Sequence, residues 1–384
     1  MYYTRGSENF PFLNISIEKS KCLTEVMDMF KRFISRLFIV MLSITALSFT
    51  GCQKKLAPIE ETEKTRYSAQ FLELFNTATQ IVGYYEEKED FSNLASLIYE
   101  ALEEYHKLYD IYNNYEGINN MKTINDNAGI APVKVDQKII DLLLFAKEGY
   151  EITEGRMNIA LGPVLKVWHD YRTEGIDEPL AAKLPPMELL EEKMKYTDIN
   201  KLIINEEEQT VYLEEKEMSL DVGSIAKGYA TEKVCQLAME NGYTSVLVSV
   251  GGNVRAVGSK DGEGTPWNVG IQDPEVADAN VHVVSITDAS LVTSGVYQRY
   301  YTVDGKQYHH IIDSATLMPS DYFLSVSILC EDSGMADVLS TSIFNMSYEE
   351  GVKYIDSIEG VEAVWILKSG EVKYSSDFER YIIK

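Results

Sequence analysis

Residues 220–258 read LDVGSIAKGYATEKVCQLAMENGYTSVLVSVGGNVRAVG, and the fold class follows from them. Ile225, Ala226, Tyr229, Ala230, Val234, Leu237 and Ala238 recur at helical spacing, so a helix opened by Ser224 buries one face. Asn241-Gly242 is an ordinary helix stop. SVLVSVGGNVRAVG then reads as a strand, a glycine turn and a returning strand. Lys227 falls in the first helical turn, where the helix dipole disfavours a cation by about 0.3–1 kcal/mol and favours a bound anion. Either this helix end faces an anion, or Lys227 is an exposed side chain at a slightly poor position.

Working outward, antiparallel runs dominate. WNVGIQD, VHVVSIT, YQRYYTV, KQYHHIID and LSVSILC read as strands, and VEAVWILK with EVKYSS as a closing hairpin. YQRYYTV and KQYHHIID join across Asp304-Gly305. Residues 201–205 and 210–214 pair as a hairpin, and FLELFNTATQIVGYY (71–85) alternates like a strand or hairpin arm. Helices are expected over about 91–113, about 136–149 and SGMADVLSTSIFNM. Strands cluster with helices between them, so the class is α+β, with largely antiparallel sheets and flanking helices, rather than doubly wound.

The 384 residues are 45% hydrophobic and 25% charged, a globular composition long enough for a sizeable core. The formal net charge of −25 argues against nucleic acid, whose binding rests on lysine and arginine. KRFISRLFIVMLSITALSFTGC (31–52) is a targeting signal: Lys31, Arg32 and Arg36 precede an apolar core, Leu37 to Phe49, too short to span a membrane comfortably. FTGC resembles a bacterial lipobox, which would make Cys52 the lipidated first residue of the mature chain; an uncleaved anchor is the other reading. Either places the protein at the membrane, outside the cytoplasm. Residues 1–51 are then an upstream extension and signal peptide, with alternative starts at Met27 or Met29. Residues 52–67 are a polar tether, and 68–384 form the working domain. Cys22, Cys52, Cys235 and Cys330 include no CxxC pair and no disulfide framework.

GxGxxG after a strand, GxxxxGK[ST], HExxH and GxSxG are all absent. Asp337 and Thr341 lie four apart on an expected helix, hence on one face, and offer hard oxygen ligands of the kind Mg²⁺ takes. Asp221, the turn at Ser224 and Lys227 could grip a nucleotide. Gly251-Gly252-Asn253 would let a ligand approach the backbone. Thr293-Ser294-Gly295, Arg299 and Tyr297–Tyr301 could line a pocket. His309 and His310 point to opposite faces of a strand, so at most one serves a given site. Each group also has an ordinary structural reading: a solvated helix start, a capped turn, a tight hairpin, or residues that simply favour strands.

Their order along the chain carries more than any one of them. LGPVLKVW (161–168), LDVGSIAKGYA (220–230), LVSVGGN (247–253), WNVGIQDP (267–274), TSG…YY (293–301), HHIID (309–313) and ADVLST (336–341) together resemble the ApbE family of flavin transferases, over about residues 68–380. The resemblance implies an ApbE-like, T-fold-related core. It implies an enzyme that binds FAD and Mg²⁺ and moves the FMN half onto a threonine or serine hydroxyl of a target redox protein, releasing AMP. It assigns Asp337, Thr341 and the Ser224 carbonyl to magnesium. Phe75, Tyr112, Arg156, Met157, Asn158, Asp221, Lys227, Gly252 and Ser325 would contact FAD. His310 would activate the acceptor hydroxyl. Asn158 stands where aspartate is common, Ser314 and Leu317 replace a proline and a glycine, and Asn76 replaces glycine or aspartate. FAD hydrolysis with water as acceptor, and a non-catalytic flavin-binding lipoprotein, are the alternatives. A transporter's substrate-binding lipoprotein would instead show two doubly wound lobes.

Overall fold

A computed structural model describes residues 64–297 and 299–384. The expected signal peptide and lipid-bearing Cys52 lie outside the described residues. An eight-stranded sheet organises the domain, in the order Thr65–Phe71, Thr79–Tyr85, Val246–Val250, Asn253–Val257, Ala289–Gly295, Phe323–Cys330, Glu362–Leu367 and Val372–Tyr374. Every neighbouring pair is antiparallel. With helices segregated to one face, the class is α+β.

The two faces have different coverings. Leu291, Leu329 and Val364 pack with Trp267, Val269, Ile271 and Val284 of the separate hairpin Trp267–Gln272/Asn280–Ile286. Val292, Val326 and Ile328 pack with Ala336, Leu339 and Ile343 of the helix Ser333–Phe344. Phe323–Cys330 is therefore covered on both faces and almost wholly buried, its two serines included. The helix Ala226–Glu240 lies beside Ser333–Phe344 and over Val246–Val250 and Asn253–Val257. The helix Lys88–Tyr109 covers Ala226–Glu240 in turn.

Several expected boundaries shift. The first strand, Thr65–Phe71, begins inside the stretch read as tether, because Tyr67, Ala69 and Phe71 alternate against the core. The extended segment before Gly223 is not a strand. Its groups bond to non-sheet partners: Leu220 N–H donates to Asn125 Oδ1 at 2.7 Å, and Asp221 N–H to the Ile159 carbonyl at 2.8 Å. The helix after it starts at Ala226 with no side-chain cap. The helix expected over 91–113 ends at Tyr109, since Asp110 Oδ1 takes the Tyr112 N–H at 2.6 Å and turns the chain. The central strand Ala289–Gly295 and the helix Gly162–Asp177 had been read only as motif fragments.

Candidate active site

Helix starts and strand ends build the site. Gly228 lies in the first turn of Ala226–Glu240, where its N–H has no intrahelical acceptor. It donates to Asp337 Oδ2, from the neighbouring helix, at 2.9 Å. A methyl at 228 would stand 2.5 Å from Asp337 Cβ and collide with the Ser333 carbonyl, so glycine is what allows the two helices to meet. Lys227 Nζ lies 3.4 Å from the same Oδ2. The anion required by a lysine at this helix start is thus, in the first instance, a carboxylate of the protein itself. Burial pushes the Asp337 carboxyl above its ordinary range, and the Lys227 ammonium and Gly228 N–H oppose that.

Asp337 Oδ1 accepts no hydrogen bond among the described residues. Thr341 is one turn on, on the same helix face. Asp337 Oδ1, the Thr341 hydroxyl and the turn carbonyl at Ser224 would together be an all-oxygen donor set. That set suits Mg²⁺, which keeps several waters and takes few protein ligands. Among the described residues no three His, Cys, Asp or Glu side chains cluster.

A second cluster comes from the helix Gly162–Asp177, which packs on the hairpin Tyr300–Val303/Lys306–His309. Arg172 Nη2 donates to His169 Nδ1 at 2.9 Å, which leaves His169 Nε2 carrying the proton. The Tyr112 ring, 53% exposed, tilts over His169 with centroids 5.6 Å apart. Asp221 completes this cluster. Burial pushes its carboxyl up, while the Gly223 N–H at 2.8 Å, His169, Arg172 and Arg299 hold it down. Arg172 and Arg299 both lie within electrostatic reach of His310.

The two adjacent histidines divide as strand alternation requires. His309 is buried; Ile311 N–H donates to its Nδ1 at 3.2 Å, so Nε2 carries the proton and donates to the Ser320 carbonyl at 2.6 Å. Burial pushes it down to about 4, and its role is structural. His310 Nδ1 lies 3.2 Å from the Arg299 carbonyl. A carbonyl only accepts, so Nδ1 holds the proton and Nε2 presents a lone pair. Burial, with Arg299, His309 and Arg172 nearby, pushes His310 down to about 3, so it is neutral at ordinary pH.

The remaining expected contacts separate into groups. Phe75 and Asn76 both hold left-handed backbone, φ 53° and 52°. Phe75 N–H reaches His106 Nδ1 at 3.3 Å, and its ring meets the His106 ring edge-on. Such non-glycine strain is concentrated at functional sites. Gly252, φ 92°, has only the Thr293 carbonyl near its missing Cβ, at 3.7 Å. Ser325 is buried with a hydroxyl that has no partner. Three more have side chains engaged within the fold. Met157 is 1% exposed and is core, packed against Gly149. The Asn158 amide is spent inside the fold: Oδ1 takes the Ala160 N–H at 2.8 Å and Nδ2 donates to the Thr197 carbonyl at 2.9 Å. Arg156 lies beside Glu350 and Tyr354 of the C-terminal helix Tyr348–Ile355. His169, Arg172 and Gly228 were missed. The first two sit three apart on one helix face, a pattern visible once that helix is read past Trp168.

Two shallow hollows of about 450 and 440 Å³ run along Lys88–Tyr109 and share no residue with this cleft. The fold is an α+β protein in which a buried carboxylate meets a neighbouring helix start, with a histidine- and arginine-bearing cluster on a second helix and hairpin. The family model described as "ApbE family" matches residues 65–365, and the chain belongs to that family. A relative from Treponema pallidum named FAD:protein FMN transferase is 36% identical over 270 residues, covering 67% of this chain and 73% of its own length. One of the same name from Escherichia coli K12 is 28% identical over 338 residues, covering 86% and 93%. The crystal structure of the Thermotoga maritima ApbE protein superposes with a TM-score of 0.73 at 27% identity, covering 83% of this chain and 100% of that one. The Vibrio cholerae flavin transferase ApbE, at 23% identity and a TM-score of 0.67, shares the fold.

Proposed function

We propose that the chain is a flavin transferase that moves the FMN moiety of FAD onto a threonine or serine hydroxyl of a target protein and releases AMP. The observation that carries this is the meeting of Asp337, Gly228 and Lys227 at one helix start, in a family whose named relatives are FAD:protein FMN transferases. Asp337, Thr341 and the Ser224 carbonyl would hold a divalent cation, Mg²⁺ by its donor set, which supplies charge neutralisation on the diphosphate oxygens. Lys227 is held only loosely by Asp337, at 3.4 Å, and can face a diphosphate oxygen. Tyr112 and Phe75 offer aromatic faces to the flavin or adenine.

The acceptor hydroxyl gives its proton to His310 Nε2 and attacks the phosphorus on the riboflavin side. The bond to the AMP phosphate oxygen breaks, and AMP leaves with that electron pair. The Arg299 carbonyl fixes the tautomer that makes Nε2 the acceptor. The acceptor is a redox protein at the membrane, and the transferase is anchored there by lipid on Cys52, on the extracytoplasmic side. The chain's charge of −25 would repel anionic lipid, which supports an acyl anchor over an electrostatic one.

The test mixes the protein, FAD, Mg²⁺ and a candidate acceptor and looks for a fluorescent, mass-shifted acceptor in a denaturing gel. AMP release without any labelled acceptor would replace transfer with hydrolysis. Neither product, with FAD still bound, would leave a flavin carrier.

A further inference from the structure

The two helices that build the site exchange carboxylates. Asp337, on Ser333–Phe344, accepts the Gly228 N–H in the first turn of Ala226–Glu240 at 2.9 Å. Glu232, on Ala226–Glu240, accepts the N–H of Ser333, the opening residue of the other helix, at 3.0 Å. Each anion thus lies at the positive end of its neighbour's helix, a favourable place for it.

The two carboxylates are otherwise unlike. Asp337 keeps one oxygen free. Glu232 is fully committed: Oε2 also takes Arg255 Nε at 3.2 Å, and Oε1 takes Gln236 Nε2 at 3.1 Å. Arg255 is itself spent, donating to the Ala256 carbonyl at 2.6 Å and to Asp288 at 3.1 Å. Glu232 and Arg255 are 6% and 3% exposed. A buried ion pair is weak evidence for stability, since apolar residues of the same volume often serve as well. It does supply direction. One carboxylate ties the strand Asn253–Val257, its own helix and the first residue of the next helix to fixed distances. Ser333 precedes Asp337 by one turn, about 6 Å along the axis. A cation taken on Oδ1 would leave the Gly228 bond to Oδ2 standing, and the Glu232–Ser333 bond is a second polar tie between the same two helices.

We propose that Glu232, held by Arg255, is a positioning residue: it sets the depth at which Ser333–Phe344 presents Asp337 and thereby the divalent-cation affinity of that site. This rests on the cation reading above. The full chain, loaded with FAD and without acceptor, is titrated with Mn²⁺ in a calorimeter. The wild type should bind one ion, and Asp337→Ala should lose it. Glu232→Gln should weaken Mn²⁺ binding about tenfold, a 1.4 kcal/mol change. FAD affinity without metal should stay within about threefold, and turnover should recover at saturating Mg²⁺. Glu232→Asp, which keeps the charge but falls a methylene short of Ser333, should weaken Mn²⁺ equally, and it carries the test if the first variant does not fold. Wild-type Mn²⁺ affinity in either variant, with only a lowered melting temperature, overturns the inference. A wild type that binds no Mn²⁺, or an Asp337→Ala variant that binds it unchanged, overturns the cation reading and this inference with it.

Discussion

Gly228→Ala is the sharpest perturbation of the site, because the added atom touches the reasoning and little else. Its Cβ would lie 2.5 Å from Asp337 Cβ and 3.1 Å from Asp337 Cγ, and would strike the Ser333 carbonyl. Carbon atoms pack at about 3.5 Å, so the two helices must part by roughly 1 Å. Overpacking of this kind costs about 1–3 kcal/mol. The better helix propensity of alanine returns about 0.8–1.0 kcal/mol. The variant should therefore fold, with stability lowered by about 2 kcal/mol at most on those figures. Function should suffer more. Displacing a reacting group by 1 Å can reduce rate about 100-fold, which is about 2.7 kcal/mol of barrier. The Gly228 N–H, now farther from Asp337, would no longer hold that carboxylate in place. Covalent flavin on the acceptor, followed over time by in-gel fluorescence, reads the rate, and a circular dichroism melt reads the fold. Transfer at the wild-type rate from a folded Gly228→Ala protein would refute the claim that the close approach of these helices makes the site.

His310→Ala should lower turnover about 10²- to 10⁴-fold with FAD affinity unchanged, measured by flavin fluorescence quenching; weakened FAD binding at normal turnover would remove it as the base. The kcat/KM profile should show no inflection near the ordinary histidine value, because His310 in the free enzyme is held down to about 3. His309, held down to about 4, binds fewer protons folded than unfolded, so stability should fall as pH drops from about 6.5 towards 4. Urea midpoints at pH 7.5 and 5 test this; His310, held down to about 3, acts in the same direction, so His309→Gln should lessen the difference and leave part of it. Asn158→Asp removes the donor to the Thr197 carbonyl and sets an anion against it, so thermal melts should show a loss of about 1–3 kcal/mol. An unchanged melt would mean that an aspartate here is accommodated by other partners.

Local pattern and tertiary partner were not equally legible. The strand–turn–strand at 245–258, the hairpin across Asn205–Gln209 and the Asp304-Gly305 turn appear where periodicity and turn chemistry put them. Ala289–Gly295 was harder, because Thr293, Ser294 and Gly295 look like a loop. In the sheet their hydroxyls pair sideways, Thr293 with Ser327 at 2.7 Å and Ser294 with Ser340 at 2.8 Å. Polar residues on a buried strand are invisible to a hydrophobic alternation when their partners lie 34 and 46 residues away. The site shows the same limit. Asp337 and Thr341 share a face by spacing alone, but only the folded chain shows that the face meets a glycine 109 residues earlier.

Lys227 shows what a local rule can and cannot deliver. A lysine in a first helical turn demands an anion, and the sign of that demand was readable from the sequence. The anion beside it is the Asp337 carboxylate, 110 residues away. The pairing lets a cation and an acid stand together at a buried helix start. Asp337 is 3% exposed, and a buried carboxylate without a partner would be strongly destabilising or would take up a proton. A bond of 3.4 Å is long for a charge-assisted contact. Glu232 and Arg255 are tied by several short bonds each and are not free in this way. The chain therefore places a tightly bonded ion pair one helical turn beyond a long one, on the same two helix ends.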